Sequence, residues 1–405
     1  MSETQMPPTY TDVVIVGGGP AGLAMALSLD AMGVASVVLE RSPWETWENA
    51  PFDGREIALT HRSARLLQTM HVWNRLPENS VAELKEAQVE NARGGEPLVF
   101  DTNGTGEEAL GYLVSNHLIR RALFAECQSR SHITLKAGKT VEDVKTSPIN
   151  ATVTDADGEV LHARLIIAAD GRFSQVREKQ GIGAILHDFH RTMMVFRMTH
   201  EKPHHHIALQ WFDQGQTFAF LPMNGNMSSI VFTLSTDEME QMRQMEDEAF
   251  TQEVMCRVGY RLGNMELVSS RHAYPLKGVY AHRFWGRRLA LIGDAAVGMH
   301  PITAHGFNLG LVGQDILAEE IGSALSKGRD IGSLSVVQRF SLRHRMASTA
   351  LFAITNGIAV VYAREELPFR LVRKIGISVA EHMGPLKGMV TKMLMDETGP
   401  IPAEM

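Results

Sequence analysis

Residues 12–40 read DVVIVGGGPAGLAMALSLDAMGVASVVLE. Asp12 to Val16 opens the stretch with β-branched residues, as expected of a strand buried on both faces. Gly17-Gly18-Gly19 follows, and then a helix from about Pro20 to Met32 with apolar residues on several sides. A second buried strand, Ala35 to Leu39, ends on Glu40. Strand, tight turn, helix and strand in this order make the unit that begins a parallel α/β sheet.

The spacing gives each residue a task. Gly17 permits the turn out of the strand, Gly19 lets backbone approach a pyrophosphate, and Gly22 lets the helix lie close to the sheet. The helix N-terminus offers free N–H groups and a positive dipole end to phosphate. Glu40 stands 18 residues after Gly22, where a carboxylate can bond ribose hydroxyls. An acid there favours FAD or NAD over a 2′-phosphorylated dinucleotide, although Arg41 beside it blurs the distinction. No second unit of this kind appears, because Gly181-Ile182-Gly183 lacks the third glycine and the flanking strand.

The totals frame this unit. The 405 residues, 44% hydrophobic and 21% charged, suffice for two or three domains and a large core. A net charge of −7 argues against a nucleic-acid partner. Cys127 and Cys256 lie far apart, which suits two thiols in a reducing compartment. The N-terminus has no basic region before its short apolar run, so a cytosolic location is expected. The longest uncharged run, Met346–Ala363, contains Ser348, Thr349, Thr355, Asn356 and Gly357 and reads as a buried or surface-lying helix.

Downstream the pattern changes. Residues 59–76 read as helical, 81–100 as extended and polar, and 113–127 as helical. Extended segments at 134–135, 141–146 and 151–154 precede Leu165–Ala169, a buried strand ending at Asp170-Gly171. Residues 193–199, 207–212, 218–221 and 229–234 are strand-like, with an acidic helical stretch, 236–258, inserted after them. They predict a mostly antiparallel sheet. Leu289–Ile292 returns to the buried parallel type, and the chain is helical from about Ile331.

Two further strand ends carry turns. Asp170-Gly171 alone is a common turn. In ALIGDAAVGMHPITAHGFNLG, 290–310, a buried strand delivers Gly293-Asp294, and a turn from Pro301 to Gly306 leads into another helix. This second helix start would contact a different part of the same dinucleotide.

Together, GGGPAG with Glu40-Arg41, Asp170-Gly171, and Gly293-Asp294 followed by HP and GFNLGL resemble the single-component FAD-dependent aromatic hydroxylases of the p-hydroxybenzoate hydroxylase type. The ending narrows the resemblance to the hydroxylases of ubiquinone biosynthesis. FDGREIALTHRS (52–63), LVSNHLIRRAL (113–123), FAFLPMNGNMSSIVFTLS (218–235) and LPFRLVRKIGISVAEHMGPLK (367–387) are similar to that family too.

The resemblance implies an α/β fold of three parts. An FAD-binding Rossmann-like domain of the GR2 type would take 1–75, 105–180 and 271–330. An inserted, mostly antiparallel sheet domain for substrate would take 76–104 and 181–270, and a C-terminal helical region 331–405. Gly17, Gly19 and Gly22 would hold the FAD pyrophosphate, with Glu40 on the adenosine ribose and Arg41 near it. Arg55 and Asn116 would reach the ribityl–pyrophosphate region, Asp170-Gly171 would sit beside the pyrophosphate, and Asp294 would bond the ribityl chain. Pro301 and the amides near Gly306, Phe307 and Asn308 would line the flavin ring. Phe220 and Met223 fall in what resembles the pocket-facing strand and are the expected substrate contacts.

The implied reaction is ring hydroxylation of a polyprenylated phenol or quinol. NAD(P)H, bound transiently, reduces the flavin; O2 adds to give a C4a-hydroperoxide; its distal oxygen attacks an electron-rich ring carbon. The cofactor carries the hard step, which agrees with the lack of a Ser–His–Asp or paired-carboxylate pattern.

One departure stands out. The family usually carries Gly-Gln where this chain has Ala304-His305. Alanine restricts the turn more than glycine. His305 is the candidate catalytic residue, either bonding the reduced flavin or helping deliver a proton, set against a plain packing role. His204-His205-His206 looks like a metal tract, but neighbours in a strand point to opposite faces, so no metal site is expected. Trp211, Phe212 and Phe218 divide between pocket and core.

From Arg339 to Met395 the chain holds nine Lys/Arg against three Asp/Glu, with apolar positions at Leu351, Ile354, Ile358, Val361, Met389, Met393 and Met395. Such helices are expected to rest on anionic lipid, at the inner face of the membrane, near a bilayer-borne substrate and within reach of a quinone-synthesis complex. Rival readings are an FAD hydroxylase of a soluble aromatic or antibiotic, a reductase or halogenase on the same fold (the WxWxIP signature is absent), and an accessory subunit that holds FAD without turnover.

Overall fold

Val13, Val14 and Ile15 are 0% exposed, and their strand runs through the middle of a parallel sheet. The computed structural model describes residues 9–91, 96–103, 105–213, 216–301 and 304–363. In chain order, β1 (Thr9–Val16), α1 (Pro20–Asp30) and β2 (Ser36–Glu40) form the first unit, and α2 (Trp44–Glu48) leads to β3 (Glu56–Leu59) and α3 (His61–Thr69). Next come β4 (Val81–Leu84), β5 (Glu86–Asn91), β6 (Leu98–Phe100), β7 (Gly111–Ser115) and α4 (Asn116–Gln128). Then follow β8 (Ile133–Ala137), β9 (Val141–Thr146), β10 (Ala151–Asp155), β11 (Val160–Ala168) and α5 (Gln175–Lys179). A long β12 (Ala184–His200), β13 (Ile207–Asp213), β14 (Gln216–Pro222) and β15 (Met227–Ser235) precede α6 (Thr236–Gln244) and α7 (Asp247–Arg257). The chain continues through β16 (Met265–Leu267), β17 (His272–Ala281), β18 (Trp285–Gly286), β19 (Leu289–Leu291) and β20 (Val297–Gly298) to α8 (Gly306–Leu325) and α9 (Leu334–Ala363).

β19, β11, β1, β2 and β8 lie side by side and parallel. Their residues are β-branched and buried because helices pack on the sheet. A β9–β10 hairpin extends β11. Sequence periodicity overextends two helices. The stretch 59–76 contains α3 and then only a 3-10 turn at Trp73–Arg75. The acidic stretch 236–258 breaks between α6 and α7, where Met245 and Glu246 take extended backbone.

The second sheet runs β20-β17-β12-β15-β14-β13-β5-β6, with β16 also on β12. All its pairings are antiparallel except β13 with β5. Strand alternation divides its faces. Met194, Phe196, Phe218, Phe220 and Phe232 point to one side and bury under α6 and α7 with Phe250. The opposite side faces the parallel sheet across a cavity.

α9 packs on α8 through a core that includes Val336, Val337 and Phe340, each 0% exposed. Leu351 joins that core, while Leu342, Met346 and Ile354 are exposed. Part of the basic excess is balanced locally, since Arg339 and Arg343 pair with Glu320 and Arg343 also with Glu319. The side chains of Ile358 and Val361 and the whole of 364–405, with Met389, Met393 and Met395, lie outside the described residues. No described helix is long and apolar enough to cross a membrane.

Candidate functional site

The cavity between the sheets has a volume of about 1030 Å³. Its first wall is the glycine turn. Gly17 has φ +108°, and a Cβ there would stand 2.3 Å from the Ala169 carbonyl oxygen, so only glycine fits. Gly22 does not line the cavity; a Cβ on it would come 2.0 Å from Gly17 O, so it seats α1 against the turn. Gly19, at the N-cap of α1, faces open space. The Trp47 indole N–H donates to Gly18 O at 2.9 Å and fixes the turn.

Glu40 enters the cavity with both oxygens oriented by backbone. Oε2 accepts from Gly18 N at 2.8 Å and Oε1 from Ser42 N at 2.9 Å, and Arg41 lines the same corner. Arg55, just before β3, and Asn116, at the start of α4, meet on Asp53, whose Oδ2 accepts from Arg55 at 2.6 Å and from Asn116 Nδ2 at 2.8 Å. Burial alone would raise the Asp53 carboxyl, but the Arg55 charge and these hydrogen bonds outweigh it and hold it below its usual range. Glu56, next in the strand, has an unexposed side chain bonded by Arg197 and Ser115, and its carboxyl is pushed up by burial despite Arg197.

Asp170-Gly171 closes the opposite side. Asp170 Oδ2 accepts from Val176 N at 3.1 Å, while its buried Oδ1 has no hydrogen-bond partner among the described residues. Burial pushes this carboxyl up. Asp294 pairs with Arg172 at 3.1 Å and also lines the cavity.

The second turn brings Pro301, Gly306 and Phe307 to the cavity at the N-terminus of α8. Ala304 adopts φ +53°, the left-handed conformation that glycine takes without strain. One expectation, that for His305, is corrected here. Asn308 lies one residue behind the wall, where its side chain donates to Ala58 O at 2.8 Å and accepts from Thr60 N at 3.2 Å, stitching α8 to β3. His305 is 8% exposed and absent from the cavity wall, because it occupies the N-cap of α8 with its ring turned into the protein. The imidazole on the wall is His300, 4.5 Å ring to ring from Phe189. Burial, with the charges of Arg172 and His187, pushes its pKa down to about 4.

The sheet side holds the largest correction. Phe220 is 4% exposed within the core under α6 and α7, and Met223 is 6% exposed, so neither lines the cavity. Alternation explains it: the aromatic positions of β14 and β15 share one face, and the small positions share the other. Met193 and Val195 from β12, Thr217, Ala219 and Leu221 from β14, and Val231 and Thr233 from β15 form the cavity wall. Met193 pairs with Thr233 and Thr233 with Thr217; Val195 pairs with Val231 and Val231 with Ala219. The alternation was visible in FAFLP and SSIVFTLS, but which parity met the ligand was not.

Of the three histidines at 204–206, His204 and His206 hold backbone, with their rings 5.7 Å apart. His204 Nε2 meets Met223 O at 2.8 Å, and His206 Nδ1 meets Glu83 O at 3.2 Å.

These residues suit a flavin dinucleotide. Two helix N-termini open on one cavity, Gly19 leaves space for a pyrophosphate, and Asp170 keeps an unused acceptor beside it.

Known proteins agree with this geometry. Residues 10–332 match the family described as FAD binding domain. The chain is 42% identical over 389 residues to ubiquinone hydroxylase UbiM of Neisseria meningitidis, covering 95% of this chain and 84% of the relative. It is 30% identical over 394 residues to the 3-demethoxyubiquinol 3-hydroxylase of Escherichia coli, covering 94% and 97%. Its fold is similar to that of p-nitrophenol 4-monooxygenase PnpA from Pseudomonas putida, with a TM-score of 0.76, 18% identity and 96% and 98% of the chains covered.

Proposed function

The chain belongs to the FAD-dependent hydroxylases of ubiquinone biosynthesis, and from that membership we propose how its cavity divides the work. It is an FAD-dependent monooxygenase that uses NAD(P)H and O2 to hydroxylate a quinone-type intermediate. One observation carries the division: two helix N-termini and a small-residue sheet face line one cavity.

In this reading the FAD site is built by segments 1–75, 105–180 and 271–330, and the substrate site by 76–104 and 181–270, ahead of a C-terminal region, 331–405, whose described part is α9. Gly17 and Gly19 take the pyrophosphate, with Gly22 supporting them, Glu40 takes the adenosine ribose with Arg41 beside it, and Arg55 and Asn116 reach the middle of the dinucleotide. Asp170, Gly171 and Asp294 flank the pyrophosphate and ribityl chain. When bound, FAD supplies two-electron chemistry and the activation of O2. The chain's own residues bind, orient and exclude water. The first amides of α8, at Gly306 and Phe307, and the helix dipole would favour negative charge on a flavin held in the cavity, whose wall also includes Pro301. His300, held neutral by burial, presents an imidazole that can share a hydrogen bond with a ring hydroxyl.

The substrate is a polyprenylated phenol or quinol. Val195, Ala219, Leu221 and Val231 offer an apolar bed suited to a ring with a hydrocarbon substituent. The protein works in the cytoplasm at the inner membrane face. Leu342, Met346 and Ile354, 62%, 75% and 51% exposed, form an apolar stripe on α9 that supports peripheral lipid contact and a place in a quinone-synthesis complex.

Mass analysis of the quinone pool in a deletion strain tests this reading. A prenylated precursor lacking one ring hydroxyl is expected to accumulate. An unchanged pool would overturn the reading.

A further inference from the structure

β12 does not follow its ladder with β17. Asp188 pairs with Lys277 and Thr192 with Pro275, so residues 189–191 on β12 span the interval that Leu276 alone spans on β17. His190, at the crest, has φ +51°, and its N–H donates to Asp188 Oδ1 at 2.9 Å. A left-handed conformation at a non-glycine residue costs energy, and such bulges recur beside active sites, where they re-aim side chains. Here Phe189 and Arg191 both line the cavity, whereas His190 is exposed.

The neighbours of this bulge define what it can recognise. On one side the Phe189 ring meets His300, the residue before Pro301, at 4.5 Å. On the other, Arg191 sits two residues before Met193, at the edge of the small-residue bed. Among the described cavity residues, the strands of this sheet contribute Met193, Val195, Gln210, Thr217, Tyr274 and others that are neutral. Arg191 is the only charged side chain they provide. The other cations on the described wall, Arg41, Arg55, Arg120, Lys139 and Arg172, lie outside these strands.

We propose that the 189–191 bulge is the head-group end of the substrate site, with Arg191 donating hydrogen bonds to a ring oxygen and Phe189 covering the ring edge. The inference rests on the hydroxylase reading and adds the residue that selects an oxygenated ring. A half-buried guanidinium holds several N–H donors in a fixed fork, which suits a phenol or phenolate oxygen at the end of an otherwise apolar wall. It would place the oxygen-bearing end of the ring toward the bulge and leave the hydrocarbon substituent to the apolar bed.

Equilibrium binding of ortho-geranylphenol and of geranylbenzene, which lacks the hydroxyl, tests this on the FAD-loaded protein. Perturbation of the flavin absorbance reads binding without turnover. Arg191→Met is expected to weaken the phenol roughly 10- to 100-fold and leave geranylbenzene unchanged. Arg191→Lys, which keeps the charge but loses the fork, is expected to fall between the two. If Arg191→Met discriminates phenol from benzene as the wild type does, the assignment is overturned. Should the Met variant lose FAD, Arg191→Leu, which also removes every N–H donor, carries the same comparison with the same two outcomes. The quinone-pool measurement is independent, so a failure of the hydroxylase reading would show there and not in this ratio.

Discussion

Arg197 on β12 and Glu56 on β3 form an ion pair that joins the sheet domain to the dinucleotide half. Nε and a terminal nitrogen of Arg197 reach Glu56 Oε1 at 3.0 and 2.5 Å. The Glu56 side chain is unexposed, Ser115 bonds its other oxygen at 2.8 Å, and Arg197 lies over the Phe52 ring at 4.7 Å. A buried carboxylate of this kind depends on its partner, because Arg197 offsets part of a desolvation cost that would otherwise stand in full. Arg197→Met should therefore destabilise the protein by about 3–5 kcal/mol in denaturant unfolding, and Glu56→Gln in the same background should restore part of the loss.

The turn before α8 carries a second expectation. Ala304 sits at φ +53°, where a Cβ is strained and glycine is not. Ala304→Gly should stabilise the protein by about 1 kcal/mol, the relief of strain less the added chain entropy of glycine. His305→Gln, beside it, should leave flavin reduction and coupling unchanged, since His305 is 8% exposed and off the cavity wall. A large change in either rate would return a direct role to His305.

Acid sensitivity follows from two buried imidazoles. His300 and His344 each titrate near 4 instead of 6.5 because burial disfavours their charged forms. The unfolded chain then binds more protons than the folded one between those values, so stability falls as pH drops from 6.5 toward 4. Each should cost about 2 kcal/mol between pH 7 and pH 5. His344 stacks on Phe340 at 5.7 Å, and His344→Phe should reduce the loss measured by urea unfolding at the two pH values. An unaltered pH dependence would remove His344 from the account of acid sensitivity.

The two faces of β14 should respond oppositely to substitution. Ala219→Trp fills the cavity side and should raise the substrate KM with FAD still bound. Phe220→Ala opens the core under α6 and α7 and should cost about 3–5 kcal/mol of stability while KM stays put. A KM effect from Phe220→Ala alone would reverse the assignment of faces.

The split between what was and was not readable in the sequence follows from range. Gly17 to Glu40 is a local unit whose glycines, strand ends and helix start lie within one stretch of chain, so its fold was legible and its candidate site residues could be named from the same stretch. The Asp294 and Pro301 turns were legible for the same reason. Phe220 and Met223 failed because alternation reveals two faces without saying which one α6 and α7 cover. His305 stands out in sequence only as a departure from the family pattern, and His300 does not, because neither burial nor ring direction is written in a turn sequence. The Arg197–Glu56 pair and the 189–191 bulge depend on strands brought together from distant parts of the chain, which no local pattern records.

The most direct measurement supplies the FAD-loaded protein with a prenylated phenol, NAD(P)H and isotopically labelled O2, and follows the label. The expected result is a labelled ring hydroxyl formed in equal amount to the NAD(P)H consumed. NAD(P)H consumption with all the label in peroxide or water, and none on the ring, would contradict assignment as a hydroxylase of this substrate class.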